Sequence, residues 1–101
     1  MSQKPETVFR AKFSKRLALV PNSWWESIQQ KTIVGSPDKM GCVNGFFVAL
    51  EFKATAHSTV TKLQEHKLKL ISAAGGLGVV VHPDNADNVF DMLMHLANKE
   101  T

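Results

Sequence analysis

The segment GSPDKMGCVNGFFVALEFKA, Gly35 to Ala54, holds the strongest local signal in the chain. Two strand-like runs, Lys39 to Val43 and Phe46 to Lys53, flank Asn44-Gly45. That dipeptide is favoured in two-residue hairpin turns because both central positions require positive φ. With Asn44 and Gly45 at the centre, residues facing each other across the hairpin have numbers that sum to 89, starting with Val43 opposite Phe46. Continued outward, the ladder sets Asp38 opposite Glu51. Alternation along the second strand places Phe47, Ala49, Glu51 and Lys53 on one face and Phe46, Val48, Leu50 and Phe52 on the other. Like charges directly opposed destabilise a sheet, so the Asp38–Glu51 pair calls for a compensating cation.

Working outward from the hairpin, Pro5 can open a helix whose buried stripe is Phe9, Phe13 and Leu17, with Arg10, Lys12, Lys15 and Arg16 largely solvated. The helix is expected to stop before Pro21-Asn22. SWWESIQQKTIV, residues 23–34, is rich in aromatic and β-branched residues and reads as a strand. Ala54 to Val60 forms a polar loop. Thr61 and Gln64 form a capping-box pair that opens a second helix carrying Leu63, Leu68, Leu70, Ile71 and Ala74. Gly75-Gly76 supplies its left-handed cap. LGVVVH reads as a buried strand, Pro83-Asp84 as a turn, and Ala86 to Asn98 as an amphipathic helix. The order is αβββαβα, in which a strand, a crossover helix and a strand imply a parallel pair beside the antiparallel hairpin. The expected class is therefore α/β, with a mixed four-stranded sheet flanked by helices.

A chain of 101 residues fits one domain, 1–101, and a 44% hydrophobic content argues for a folded globule. No apolar run approaches the ~20 residues of a membrane helix, and MSQKPET lacks a signal-peptide core, so a cytoplasmic protein is expected. The single cysteine, Cys42, excludes an intrachain disulfide, a cysteine-based zinc site and a CxxC redox pair. Charge is unevenly distributed: up to Lys69 the net is +6, and beyond it −3. The basic part suits a polyanion.

Two facing carboxylates and a neighbouring amine suit a hard divalent cation. Mg²⁺ typically takes one or two protein carboxylates, keeps several waters and accepts phosphate oxygens. Bound there, it could polarise a phosphodiester and lower the pKa of a coordinated water. Lys53 would stabilise the developing negative charge or orient the water. The simpler alternative is that Lys53 neutralises the two acids as a buried ion pair without chemistry, although such pairs are often no better than apolar replacements.

Pro37-Asp38, twelve residues, then Glu51-Phe52-Lys53 resembles the PD-(D/E)xK nuclease signature. The wider string GSPDKMGCVNGFFVALEFK, followed by LQEHKLKLISAAGG and a Val-rich strand, resembles the VRR-NUC family of stand-alone, often phage-encoded nucleases. The resemblance runs from Pro5 to about Leu96, and it implies a restriction-endonuclease-like αβββαβα core. It further implies a Mg²⁺- or Mn²⁺-dependent DNA endonuclease, with no nucleotide cofactor, that works as a homodimer on branched DNA such as four-way (Holliday) junctions. Flap or non-specific duplex preference, or a DNA-binding module that no longer cuts, are the alternatives.

By resemblance, Asp38 and Glu51 are metal ligands, Lys53 is the catalytic lysine and Gln64 supports the site from the following helix. Gln64, Leu68 and Ile71 fall along one helical stripe, which agrees with that role, although pure capping would also account for Gln64. Glu6 matches a carboxylate of the family's first helix near the metal. Its rival role is a first-turn acid complementing the helix dipole. Glu26 is the fallback carboxylate, and Gln29 or Gln30 are further lining candidates. The family commonly has a bulky apolar residue after Pro-Asp, where Lys39 stands here. By the hairpin ladder Lys39 faces Leu50, on the surface opposite the carboxylates, where it either disturbs packing or adds a phosphate contact.

Lys31, Lys62, Lys67, Lys69, His57 and the basic face of the first helix are the candidate DNA contacts. The other histidines show no metal-ligand spacing. GGLG, residues 75–78, leads from helix into strand and is not a dinucleotide fingerprint. Trp24 and Trp25 suit a core or dimer role better than base stacking, and Cys42 reads as packing rather than as a nucleophile.

Overall fold

The structure is a computed structural model, and it describes residues 4–28 and 35–100. The elements run α1 (Pro5–Leu17), β1 (Ser23–Ser27), β2 (Lys39–Val43), β3 (Phe46–Phe52), α2 (Lys62–Ala73), β4 (Leu77–Val81) and α3 (Ala86–Ala97). The four strands form one mixed sheet in the order β1-β2-β3-β4. The first two pairings are antiparallel, and β3 runs parallel to β4 after the crossover through α2.

The hairpin has the expected register: every β2–β3 pair, from Lys39↔Leu50 to Val43↔Phe46, sums to 89. Its turn residues both have positive φ, 49° at Asn44 and 87° at Gly45. The Asn44 amide group does more than turn the chain, because it donates to the carbonyls of Leu96 at 3.1 Å and Lys99 at 2.8 Å. Asn22, also left-handed at φ 53°, donates to the Ala97 carbonyl at 3.2 Å. Asn22 thereby satisfies the Ala97 carbonyl at the end of α3, and Asn44 adds a second donor to the Leu96 carbonyl, which also accepts from Lys99 N–H, and holds the Lys99 carbonyl just beyond the helix.

The core lies on the sheet face that carries Val48, Leu50 and Phe52, under α1 and α3. Phe9, Phe13 and Phe52 pack as a trio with centroid separations of 5.8 to 6.1 Å, which seats the middle of α1 across the end of β3. Leu17, Val81, Val89, Leu93 and Ala97 complete this layer. Among the described residues, α2 is the helix that covers the other face. A Cβ built at Gly78 would lie 2.5 Å from the Leu68 carbonyl oxygen, so the absence of a side chain there is what lets α2 approach β4 closely.

Several expectations need correction. The strand expected over residues 23–34 ends as β1 at Ser27, although Ile28 N–H still donates to the Asp38 carbonyl at 2.9 Å. Gln29, Gln30 and Lys31 lie outside the described residues. Only Leu68 of α2 is fully buried, and Leu63 and Leu70 are exposed, because a single helix on an open sheet face has neighbours along one narrow stripe. Arg10 and Arg16 are half-buried rather than solvated, since Arg16 lies 4.3 Å from the centroid of Phe90 and pairs with Asp87 at 2.8 Å. Cys42 is exposed rather than packed. It sits in register between two exposed aromatics, Trp24 and Phe47, on the sheet face that α2 leaves open, whereas Trp25 packs against the core. Among the described residues no helix is long and apolar enough to cross a membrane.

Candidate functional site

Three elements bring polar side chains together at the end of β3. Glu51 points toward α2, on the face opposite Leu50 and Phe52, and is only 4% exposed. Its Oε2 accepts from Gln64 Nε2 at 2.9 Å and lies 3.4 Å from Lys53 Nζ. Its Oε1 is enclosed and, among the described residues, has no partner. Leaving a carboxylate oxygen buried and unsatisfied is costly, so this atom is an acceptor awaiting a donor or a cation.

Gln64 reaches Glu51 through the start of α2. The capping box is complete: Gln64 N–H donates to Thr61 Oγ1 at 3.1 Å, and Thr61 N–H donates to Gln64 Oε1 at 3.0 Å. The two roles that the sequence left as alternatives are both present in one side chain, because the amide oxygen caps the helix and the amide nitrogen holds the carboxylate.

Asp38 stands just before β2, where its N–H donates to the Leu50 carbonyl at 3.0 Å and continues the hairpin ladder. Its Oδ2 accepts from the Phe52 backbone N–H at 2.8 Å, a bond that anchors the carboxylate beside β3. The negative charge of Asp38 acts on Glu51. Burial pushes the Glu51 carboxyl up to about 7, Asp38 adds to the rise, Lys53 opposes it, and Glu6 raises it further. Enclosure away from water is the main cause, and the neighbouring acids outweigh the single lysine.

Glu6 comes from α1 and is half-exposed, with its Oε2 3.5 Å from Arg10 Nη2. Its carboxylate is near enough for Glu51 to feel it, so α1, β2, β3 and α2 each bring a polar group toward one place. Glu26 is exposed on β1.

The chemistry of these donors fits a hard cation. Among the described residues no three His, Cys, Asp or Glu side chains converge as a ready-made metal cage. The fit therefore rests on the Asp38–Glu51 pair and the unpartnered Oε1, which is compatible with an ion that retains most of its waters.

The candidate DNA contacts are more scattered. Lys62 is exposed at the start of α2, and Lys67 is half-buried further along it. Lys69 pairs with Glu65 at 2.8 Å on the exposed side. His57 is exposed in the turn after β3. A cavity of about 690 Å³ lies away from the carboxylates, between α1 and the start of α3, lined by Val8, Phe9, Phe13 and Ala86 among others. The acid among its lining residues, Asp87, is engaged by Arg16, and Lys12 is a further charged side chain on its wall.

The sequence reading missed two relationships. The bond from Phe52 N–H to Asp38 joins residues of opposite faces through the backbone, and side-chain alternation gives no sign of it. The burial of Lys39, which lowers its pKa with a smaller push from the charge of Arg10, is the other, and the hairpin ladder alone gave no sign of it. Comparison with known proteins finds no matching family model, no matching curated protein and no matching solved structure.

Proposed function

We propose that this protein is a Mg²⁺- or Mn²⁺-dependent DNA endonuclease of the VRR-NUC kind, built on a restriction-endonuclease-like core. The observation that carries the reading is Glu51: buried, raised to about 7 by burial and Asp38, and left with Oε1 unpartnered beside a lysine. Asp38 and Glu51 would hold the metal, with Glu6 close by. When bound, the ion would polarise the phosphodiester and lower the pKa of a coordinated water.

The protein's own groups supply the rest. Gln64 fixes the rotamer of Glu51 by holding Oε2, so Oε1 keeps its aim. The Phe52 N–H does the same for Asp38. Lys53 Nζ, 3.4 Å from Glu51 Oε2, can swing its charge toward an attacked phosphate, stabilising negative charge or orienting the water. The loss of one acid–lysine contact is compensated when a cation meets the carboxylate.

DNA is the expected substrate, with four-way junctions first among branched forms, and a homodimer would place two such sites across a two-fold axis. A cytoplasmic setting, in a bacterium or a phage-infected cell, belongs to the same reading. Lys62, Lys67, Lys69 and His57 would contact backbone phosphates, and binding would weaken steeply with salt.

The test is incubation with labelled four-way junction, linear duplex and flap DNA in Mg²⁺, Mn²⁺ or EDTA. Metal-dependent incision is expected, strongest on the junction. Absence of metal-dependent product on all three substrates overturns the reading, and tight binding without cutting would leave a DNA-binding module.

A further inference from the structure

We propose that the open part of the sheet face beside α2 is an isologous interface, covered in solution by a second copy of this chain. Trp24, Cys42 and Phe47 lie in one register row across β1, β2 and β3 on that face. Trp24 is 59% exposed and Phe47 45%, with the exposed Cys42 between them. The row is walled on one side by α2. A Cβ built at Gly76 would lie 2.9 Å from the Phe47 carbonyl oxygen and 3.0 Å from Ile71 Cγ2, so the last turn of α2 stands beside Phe47. Leu63, Lys67 and Leu70 recur at i, i+4 and i+7 and share one flank of that helix. It is the flank toward β2, because a Cβ at Gly35, just upstream of that strand, would lie 2.7 Å from Leu63 Cγ. Leu63 and Leu70 are themselves exposed, and the result is an apolar trough between α2 and β1.

The trough's chemistry selects protein over nucleic acid, since the exposed acid Glu26, two residues after Trp24 on the same face of β1, would repel a phosphate backbone. Its shape and charge select a second copy. The row runs large, small, large, so the dip at Cys42 can take an aromatic ring from a facing copy. Glu26 is in register with Met40, Met40 with Ala49, and Ala49 with Gly78, where α2 approaches at Leu68. Lys67 therefore stands level with Glu26 on the opposite side of the trough. Rotation by a two-fold axis parallel to the strands exchanges the two sides and sets the acid of each copy against the lysine of the other. An aromatic side chain carries ~150–250 Å², so Trp24 and Phe47 together leave about 200 Å² in water. Leu63 and Leu70 extend this toward the few hundred Å² that a monomer seldom exposes in one patch. A stable dimer takes about 800 Å² from each copy. The four apolar residues supply its dry centre, and Glu26 and Lys67 belong to its polar rim.

This face deepens the nuclease reading and rests on it for its purpose, because that reading expects a homodimer. Asp38 and Glu51 lie beyond Met40 and Ala49 at one end of the sheet. An axis parallel to the strands leaves both carboxylate sites at the same end of the dimer, where a single branched DNA can reach the two.

The experiment is sedimentation velocity of the DNA-free protein in EDTA over a concentration series, so the interface and the nuclease reading can fail independently. The parent should sediment as a dimer, at twice the 11.2 kDa of one chain. Trp24→Ala should raise the dissociation constant about 100-fold or more with an unchanged circular dichroism spectrum, because an isologous face loses the side chain twice. Glu26→Lys alone and Lys67→Glu alone should each weaken the dimer about tenfold or more by opposing like charges. Mixing these two variants should restore it, since the mixed pair regains both contacts, a rescue that no contact within one chain can produce. A bismaleimide should join two chains through Cys42, the single cysteine, in the parent and not in Trp24→Ala. A parent that stays monomeric up to millimolar concentration overturns the proposal, and so does a dimer indifferent to Trp24→Ala. A monomeric parent whose binding of single-stranded DNA is abolished by Trp24→Ala would give the face to base stacking instead, and overturns it as well.

Discussion

Gln64 Nε2 donates to Glu51 Oε2 at 2.9 Å while its Oε1 accepts the Thr61 backbone N–H at 3.0 Å, so one side chain couples a helix start to a buried carboxylate. The two halves of this coupling separate by mutation. Gln64→Glu keeps a capping-box acceptor but turns the donor facing Glu51 into a second acid. The helix should persist by circular dichroism, whereas cleavage should fall about 10- to 100-fold. Equal activity in Gln64→Glu and the parent would remove Gln64 from the site.

Glu51 sets a pH dependence whose sign follows from its environment. The carboxyl titrates at about 7 in the fold against an ordinary value of 4.5, so the native state binds more protons than the unfolded chain between those limits. Stability is complete below about 4.5 and falls as pH rises to about 7, with a cost on the order of 3 kcal/mol. Thermal melts in EDTA from pH 4.5 to 8 should show the decline, and Glu51→Gln should flatten it. Added Mg²⁺ or Mn²⁺ at pH 8 should raise the parent's Tm and leave that of Glu51→Gln unmoved. An unchanged parent Tm would count against a cation at Oε1.

Asp38→Asn isolates the charge of Asp38 from its hydrogen bond, since an amide oxygen can still accept the Phe52 N–H. The fold should survive. The stability decline should shift to lower pH, because one cause of the raised Glu51 pKa is gone, and metal-dependent cleavage should be lost. Retained cleavage would show that Asp38 does not hold the metal.

Lys53→Ala should remove cleavage by about 10²- to 10⁴-fold without loss of secondary structure. Among the described residues Nζ forms an ion pair only with Glu51 Oε2, so removing it leaves Oε2 still held by Gln64. Single-turnover cleavage with saturating protein measures the effect, and parent-like rates would refute the role.

Asn44→Ala tests the fold away from the carboxylates. It removes two hydrogen bonds to the end of α3 and places alanine at a left-handed φ of 49°. The expected loss is about 2 to 4 kcal/mol in denaturant unfolding. A change below half a unit of that scale would mean that water replaces the Asn44 contacts at little cost.

The elements that were legible in the chain are those with short-range causes. Asn44-Gly45 has one favourable turn geometry, and from it the register of β2 and β3, from Val43↔Phe46 to Lys39↔Leu50, follows by counting. The Thr61–Gln64 spacing likewise announces its own helix start. Alternation and capping act over two to four residues, so they are written locally.

What could not be read locally depends on which surfaces meet. That Glu51 Oε1 is enclosed and without a partner follows from α2 closing over Gly78, and burial is a property of the packed layers, not of any residue pattern. That Arg10 is half-buried with its Nε enclosed depends on the Phe9–Phe13–Phe52 contact setting the rotation of α1, which a weakly amphipathic helix leaves open until it docks. Local preferences placed the charges in the chain, and the packing of α1 and α2 on opposite faces of the sheet set their surroundings and therefore their energies.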